Sequence, residues 1–267
     1  MVNDEQTTSP WWSAREVAVG RGLTYLIGPF TVKMFRGGDV WWLWTVRDPG
    51  EEIPAALAQV EQMEQMPEDA GGERFVFSAS PGRLQVRPLL ADRSVVFRAY
   101  QPVFVPPGEE ATLFLSSPVW ISLDLGEPVR SLREMPVQQM SDTWFGPSTR
   151  EGELCYAART SARSHLEEVP RRAHRAVTPV RIRNEATTLL PIEKLSLPAP
   201  LLSVYGDADR GLWTEEVHLT RTPDSDLATL RVVPGPSRCA PHAELLSGPR
   251  RQPGRGGLVR AFSDLFG

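Results

Sequence analysis

Few residues in this chain have the type and spacing that chemistry needs. Cys155 is the first, a thiol in the alternating run Leu154 to Thr160, with His165 and His174 downstream as candidate bases. A thiolate nucleophile requires a base within hydrogen-bond reach, and no local signature around Cys155 supplies one. The adjacent carboxylates Glu215-Glu216 are the second candidate. Paired acids serve glycoside chemistry, but neighbours on a strand point to opposite faces, which opposes a shared site. The histidines, His165, His174, His218 and His242, form neither H-x-x-x-H nor H-E-x-x-H, and Cys239 with His242 has C-x-x-H spacing without a second pair. Asp207-Ala208-Asp209-Arg210-Gly211 opens like a calcium loop but has Gly211 where the next ligand belongs and no closing Glu. It reads as a tight turn. No phosphate-binding G-x-x-x-x-G-K, no strand–G-x-G-x-x-G–helix unit and no G-x-S-x-G elbow occurs. The sequence therefore assigns no catalytic residue, no metal ligands and no cofactor. An unrecognised hydrolase centred on Cys155 or Glu215 stays as an alternative.

Binding is better represented. Trp41, Trp42 and Trp44 lie in one strand-like run and suggest a ligand platform, for instance for a sugar, while Trp41 and Trp42 should face opposite ways. Arginines concentrate at 163–183, where Arg171, Arg172 and Arg175 are candidate contacts for an anionic partner, and again at Arg250 and Arg251. Asp48 to Glu73 holds eight acids and no base. At the end of the chain Leu258, Val259, Phe262, Leu265 and Phe266 recur with the spacing of one helix face. A helix so short is marginal alone, so the segment should dock on its own body, a second copy, another protein or a membrane surface.

The elements that must position these groups are mostly strands. Phe30 to Phe35 and Val40 to Val46 flank Arg36-Gly37-Gly38-Asp39, a hairpin signal. Further β-prone runs are expected at Phe75 to Phe77, Leu84 to Val86, Ser94 to Val105, Thr112 to Ser116, Val119 to Leu125, Ala176 to Asn184, Leu189 to Leu197, Leu201 to Tyr205, Leu212 to Leu219 and Leu227 to Val233. Pro54 to Met66 is expected as a short exposed helix, and Gly126 to Arg150 as a loop. The fold class that results is mostly β, with two packed sandwich-like lobes. The expected division is an N-terminal arm (1–19), a first lobe (20–135) with an acidic insert (48–73), a second lobe (136–233), a Pro/Gly/Ser/Arg linker (234–257) and an amphipathic tail (258–267).

Bulk properties narrow the partners. The chain has 267 residues and a formal net charge of −4, which does not resemble a nucleic-acid binder. Only Lys33 and Lys194 are lysines, and every other basic residue counted is arginine. Two cysteines make no disulfide framework. The acidic, polar start is unlike a secretory signal, and no apolar run reaches the ~18 residues of a spanning helix. A cytoplasmic protein is the expectation, with peripheral membrane association open.

Four segments carry a resemblance. Asp142-Thr143-Trp144-Phe145-Gly146, Gly152 to Ala157, Thr178 to Asn184 and Leu212-Trp213-Thr214-Glu215 resemble an uncharacterised prokaryotic family, domain of unknown function 432, over about residues 20–235. The resemblance implies no activity and no site residues. Its association with mechanosensitive-channel genes would imply a channel accessory role. The reading drawn from the residues is a non-enzymatic module that binds another protein or itself, with a small-ligand or carbohydrate-binding sandwich as the alternative.

Overall fold

A computed structural model describes residues 9–48, 58–68, 71–146, 148, 150–222, 228–252, 257–259 and 262–263. In chain order its strands are β1 (Arg15–Glu16), β2 (Arg21–Ile27), β3 (Phe30–Arg36), β4 (Val40–Arg47), β5 (Gln59–Met63), β6 (Glu73–Val76), β7 (Arg83–Leu89), β8 (Val95–Val105), β9 (Glu110–Pro118), β10 (Trp120–Leu125) and β11 (Arg130–Pro136). They continue as β12 (Ser141–Phe145), β13 (Glu153–Ala157), β14 (Arg175–Asn184), β15 (Leu190–Leu197), β16 (Val204–Gly206), β17 (Leu212–Trp213), β18 (Glu216–Arg221), β19 (Ala228–Val233), β20 (Glu244–Ser247), β21 (Gly257–Val259) and β22 (Phe262–Ser263). Among the described residues the helical content is two single 3-10 turns, Leu166–Glu168 and Ala199–Leu201.

The chain forms two compact units that interleave along the sequence. The first comprises 1–89, 119–138 and 172–174, and the second 90–118, 139–171 and 175–267. The division expected from sequence places the boundary between the two lobes at 135/136 instead. Strand pairing explains the interleaving: β10 pairs with β7 across an intervening β8 and β9, and β9 pairs with the distant β14. Such long-range register is set by which faces are buried, not by chain proximity.

The first unit holds an antiparallel sheet in the order β5-β2-β3-β4-β6 and a second in the order β1-β7-β10-β11. Alternation along β2, β3 and β4 buries Tyr25, Ile27, Phe30, Val32, Met34, Trp41 and Leu43, each at 1% exposure or less. Leu84, Val86, Ile121 and Leu123 are equally buried on the other sheet. The two sheets are tied at their rims: Arg47 donates to the Pro136 carbonyl at 3.0 Å, and Arg133 pairs with Glu73. Gly37-Gly38 makes the β3–β4 turn, with the Gly37 amide donating to Val40 O at 2.7 Å.

Gly28 is a turn position where a side chain is excluded twice. Its φ is +56°, a left-handed conformation, and an added Cβ would stand 2.2 Å from His174 Nδ1. Gly28→Ala is expected to destabilise the first unit by at least about 1–3 kcal/mol, the usual scale for a non-glycine residue held there. Urea denaturation checks this.

In the second unit one sheet runs β12-β13-β8-β15-β22, and the other runs β20-β16-β17-β14-β18-β19-β21 with β9 also on β14. Asn184 at the end of β14 donates Nδ2 to Val105 O and to Thr188 O, both at 2.8 Å, fastening it to the end of β8. Both ends of that amide are used, since its Oδ1 accepts from the Ala186 amide at 3.2 Å.

Four expectations are corrected. Gln59–Met63, expected as part of a helix, is the strand β5, which among the described residues pairs with β2 alone. Its exposed Gln and Glu side chains suit an edge, and 54–57 lie outside the described residues. The expected loop at 126–150 contains β11 and β12, edge strands whose polar composition hid their alternation. The expected linker at 234–257 is folded over much of its length, with β20 paired to β16 and Ser237, Ala240, Ala243 and Ser247 buried. The helix expected at the C-terminus is absent where the chain is described: 257–259 pair with β19 and 262–263 with β15. Open sheet edges offer backbone partners that an isolated short helix lacks. Leu265 and Phe266 lie outside the described residues.

Candidate functional site

The clearest site is a cleft on one face of the five-stranded sheet of the second unit. β8 and β15 are antiparallel neighbours, and their register sets Lys194 directly opposite Arg98. A bulge between Ile192 and Lys194 turns the lysine to this face while Ile192 and Leu195 stay buried. The β12–β13 hairpin forms the facing wall with Thr143, Trp144, Phe145 and Gly146, and Ala157 and Ala158 complete it. The floor is apolar, since Val96, Phe145 and Cys155 pack as one buried cluster. The cavity holds about 120 Å³, the space of about four waters at ~30 Å³ each. That admits a carboxylate side chain or a phosphate.

Its electrostatics are one-sided. Like charges directly opposite on paired strands repel, and among the described residues no carboxylate forms an ion pair with Lys194 or Arg98. Two residues beyond Arg98 stands Tyr100, 64% exposed, with the Arg163 guanidinium 4.1 Å from its ring centroid. Thr143 and the Gly146 backbone add neutral polar groups to the rim. In a chain of net charge −4 the cleft is lined by two cations, Arg98 and Lys194. The arrangement can bind and orient an anion.

Cys155 lies under this floor and is inert by its surroundings. It is fully buried, its thiol donates to the Glu153 carbonyl at 3.7 Å, and burial followed by the nearby Glu153 charge pushes its pKa up to about 12. A nucleophilic cysteine needs the opposite shift. His165 is exposed and His174 is buried in the other unit. At pH 8 one thiol, the exposed Cys239, is expected to react with Ellman's reagent, and the second only after denaturation; two fast thiols in the native protein would contradict the burial. The raised Cys155 pKa also has a sign. Its stabilising share is present below the free-thiol value and is lost as pH rises towards about 12.

The other sequence candidates fall into structural roles. Glu215 accepts from the Ser203 amide at 2.7 Å and from the Tyr205 hydroxyl at 3.3 Å. Glu216 instead meets His218 at 2.7 Å and Arg181 at 3.6 Å, so the two carboxylates have separate partners. Asp207 clasps its turn, accepting from the Gly211 amide at 2.6 Å and the Trp213 indole at 2.7 Å. Trp41 is wholly buried and donates to Pro81 O at 3.0 Å, which removes it as a ligand platform. Trp42 and Trp44 stack on each other with centroids 6.0 Å apart. Arg74 covers Trp42 at 5.3 Å, and Gly72 sits against the Trp44 ring, so little open aromatic face is left.

The proposed anion contacts divide. Arg175 is 3% exposed and donates to Ser116 Oγ at 3.1 Å and Thr160 Oγ1 at 2.8 Å, a buried structural role. Arg250 donates to Leu90 O at 2.8 Å. Arg171 and Arg251 are exposed and Arg172 is half-buried. Of the tail contacts, Leu258 and Val259 belong to β21 and Phe262 to β22.

Sequence reasoning missed Arg98, Lys194 and Thr143. The one signal was that Lys194 is one of two lysines in an arginine-rich chain. Its pairing across 96 positions with Arg98 follows only from register.

Among the described residues no helix is long and apolar enough to cross a membrane. No curated protein and no solved structure matches the chain. One family model does, over residues 11–266, and its description is "Protein of unknown function (DUF432)". The match takes in both units, the β12–β13 hairpin and the Lys194 strand alike, and the chain belongs to that family of proteins of unknown function.

Proposed function

We propose that this protein is a binding module and not a catalyst, and that its cleft receives an acidic side chain of a partner protein. The carrying observation is Lys194 opposite Arg98 at the mouth of a small cleft, with no carboxylate paired to either among the described residues. An incoming carboxylate would relieve their repulsion and form charge-assisted hydrogen bonds, the stronger kind. The apolar floor suits the methylene stem of Glu. The cleft's size favours a side chain presented by a chain over a free metabolite of drug-like size, which needs roughly 300 Å³ or more.

Fluorescence anisotropy of a labelled acidic heptapeptide, Val-Glu-Val-Asp-Val-Glu-Val, tests this with the full chain. The expected result is saturable binding that weakens as salt rises from about 0.05 M to 0.5 M, because partly exposed charges are screened. A lysine-substituted peptide should not bind. Equal binding of both peptides, or of neither, overturns the proposal.

A further inference from the structure

The cationic face of the second unit continues past the cleft. Arg98 and Tyr100 stand two positions apart on β8 and both are exposed, so they share one face of the strand. Arg163 reaches the same place from a separate segment. The Ala162 amide donates to Arg98 O at 2.9 Å and the Tyr100 amide donates to Ala162 O at 3.3 Å, which lays that segment alongside β8. Arg163 itself exchanges backbone hydrogen bonds with Phe114, its amide donating to Phe114 O at 3.1 Å and its carbonyl accepting from the Phe114 amide at 2.7 Å. Its backbone is therefore pinned in both directions. Its guanidinium lies over the Tyr100 ring, 4.1 Å from the centroid.

A stacked guanidinium is pre-oriented. The contact with the ring uses the flat face of the group, while its N–H donors radiate in the plane. Those donors match the paired oxygens of a carboxylate. Side-chain freedom already given up to the ring is not lost again when an acid arrives.

Resting on the reading of the cleft as an acid-binding site, we propose that the Arg163–Tyr100 stack is a second acid-binding point, and that the partner segment is extended and carries two acids with one residue between them. The spacing follows from β8. Arg98 lines the cleft and Tyr100 lies under Arg163, and two positions along a strand span about 6.4–6.8 Å. An extended chain lying along β8 presents its own alternate side chains on one face at that same interval. One acid enters the cleft and the next meets Arg163. A helical partner cannot do this with acids two apart, because such positions do not face the same way on a helix.

The test uses the full chain and two labelled heptapeptides of the same composition and charge. Val-Glu-Val-Asp-Val-Glu-Val has its acids two apart, and Glu-Val-Val-Asp-Val-Val-Glu has them three apart. Fluorescence anisotropy measures both against the unmodified protein, Arg163→Gln and Tyr100→Leu, with circular dichroism as the check on folding. The respaced peptide is expected to bind the unmodified protein at least about fivefold more weakly, since a hydrogen-bonded charge contact is lost. Arg163→Gln is expected to weaken the first peptide by a similar factor and to leave the respaced peptide unchanged. Tyr100→Leu, which removes the platform at an exposed position, is expected to weaken the first peptide in the same direction, and it decides the matter if Arg163→Gln does not fold. Equal affinity of the two peptides for the unmodified protein overturns the second acid-binding point and leaves the cleft standing. An equal loss of both peptides in Arg163→Gln, or no loss of either, overturns it as well. Unchanged binding of the first peptide to Tyr100→Leu overturns the role of the stack. Binding of neither peptide to the unmodified protein removes the acid-binding reading and this inference with it.

Discussion

Trp41→Ala should unfold the first unit or bring it close to unfolding. The side chain has no exposed surface and its indole N–H donates to Pro81 O at 3.0 Å. Truncating a buried Trp costs about 3–5 kcal/mol, and losing the hydrogen bond to the part-buried Pro81 carbonyl adds about 0.5–1.5 kcal/mol. Against a typical domain stability of about 5–15 kcal/mol, that is a large part of the reserve. Urea denaturation followed by circular dichroism should show an early transition that the parent lacks. Trp42→Ala is the matched control. Trp42 is half-buried and stacked on Trp44, so its loss should cost nearer the ~0.5–1.5 kcal/mol of an aromatic pair plus part of its area. If the two variants were equally stable, the buried-face assignment of β4 would be wrong.

Charge reversal at the cleft should move stability and binding in opposite directions. Lys194→Glu replaces a like-charge cross-strand pair with an opposite-charge one facing Arg98. Such pairs contribute about 0.2–1 kcal/mol, so the variant should unfold at slightly higher urea. The same change places a carboxylate where the partner's carboxylate is to bind, and affinity for the acidic heptapeptide should fall at least about tenfold, the effect of about 1.4 kcal/mol. A residue that is better for binding than for folding is the pattern expected of a functional site. Lower stability in Lys194→Glu would show that the lysine has a structural partner and would remove the argument for an open cationic cleft.

Strands that alternate in sequence were readable, and so was the hairpin at Gly37-Gly38. β3 alternates buried and part-buried residues over most of its length, β14 is buried along almost all of its length, and β3, β4, β8, β14 and β15 each lie where the β-prone runs placed them. Edge strands were not readable. β5, β11 and β12 expose most of their side chains, so no buried face imprints alternation on them. The C-terminal apolar stripe misled for a related reason. Leu258, Val259 and Phe262 fit a helix by spacing, but nothing in a local pattern records that β19 and β15 lie nearby to pair with 257–259 and 262–263. The division into units failed at a single cut because β9 and β10 are consecutive in sequence yet pair in different sheets. The cleft was the least legible part. Arg98 looked like any arginine in an arginine-rich chain, and only the β8–β15 register makes it half of a pair. Trp41 was the reverse case, conspicuous in sequence and structural in the fold.

The most direct measurement is a backbone and indole chemical-shift titration of the full chain with the acidic heptapeptide. The account predicts saturable shifts centred on Val96 to Arg98, Thr143 to Gly146, Ala157-Ala158 and the β15 strand around Lys194, including the exposed Trp144 indole, which donates to Ser148 O at 2.7 Å. Shifts centred on Trp42 and Trp44, or no shifts at all, would contradict it.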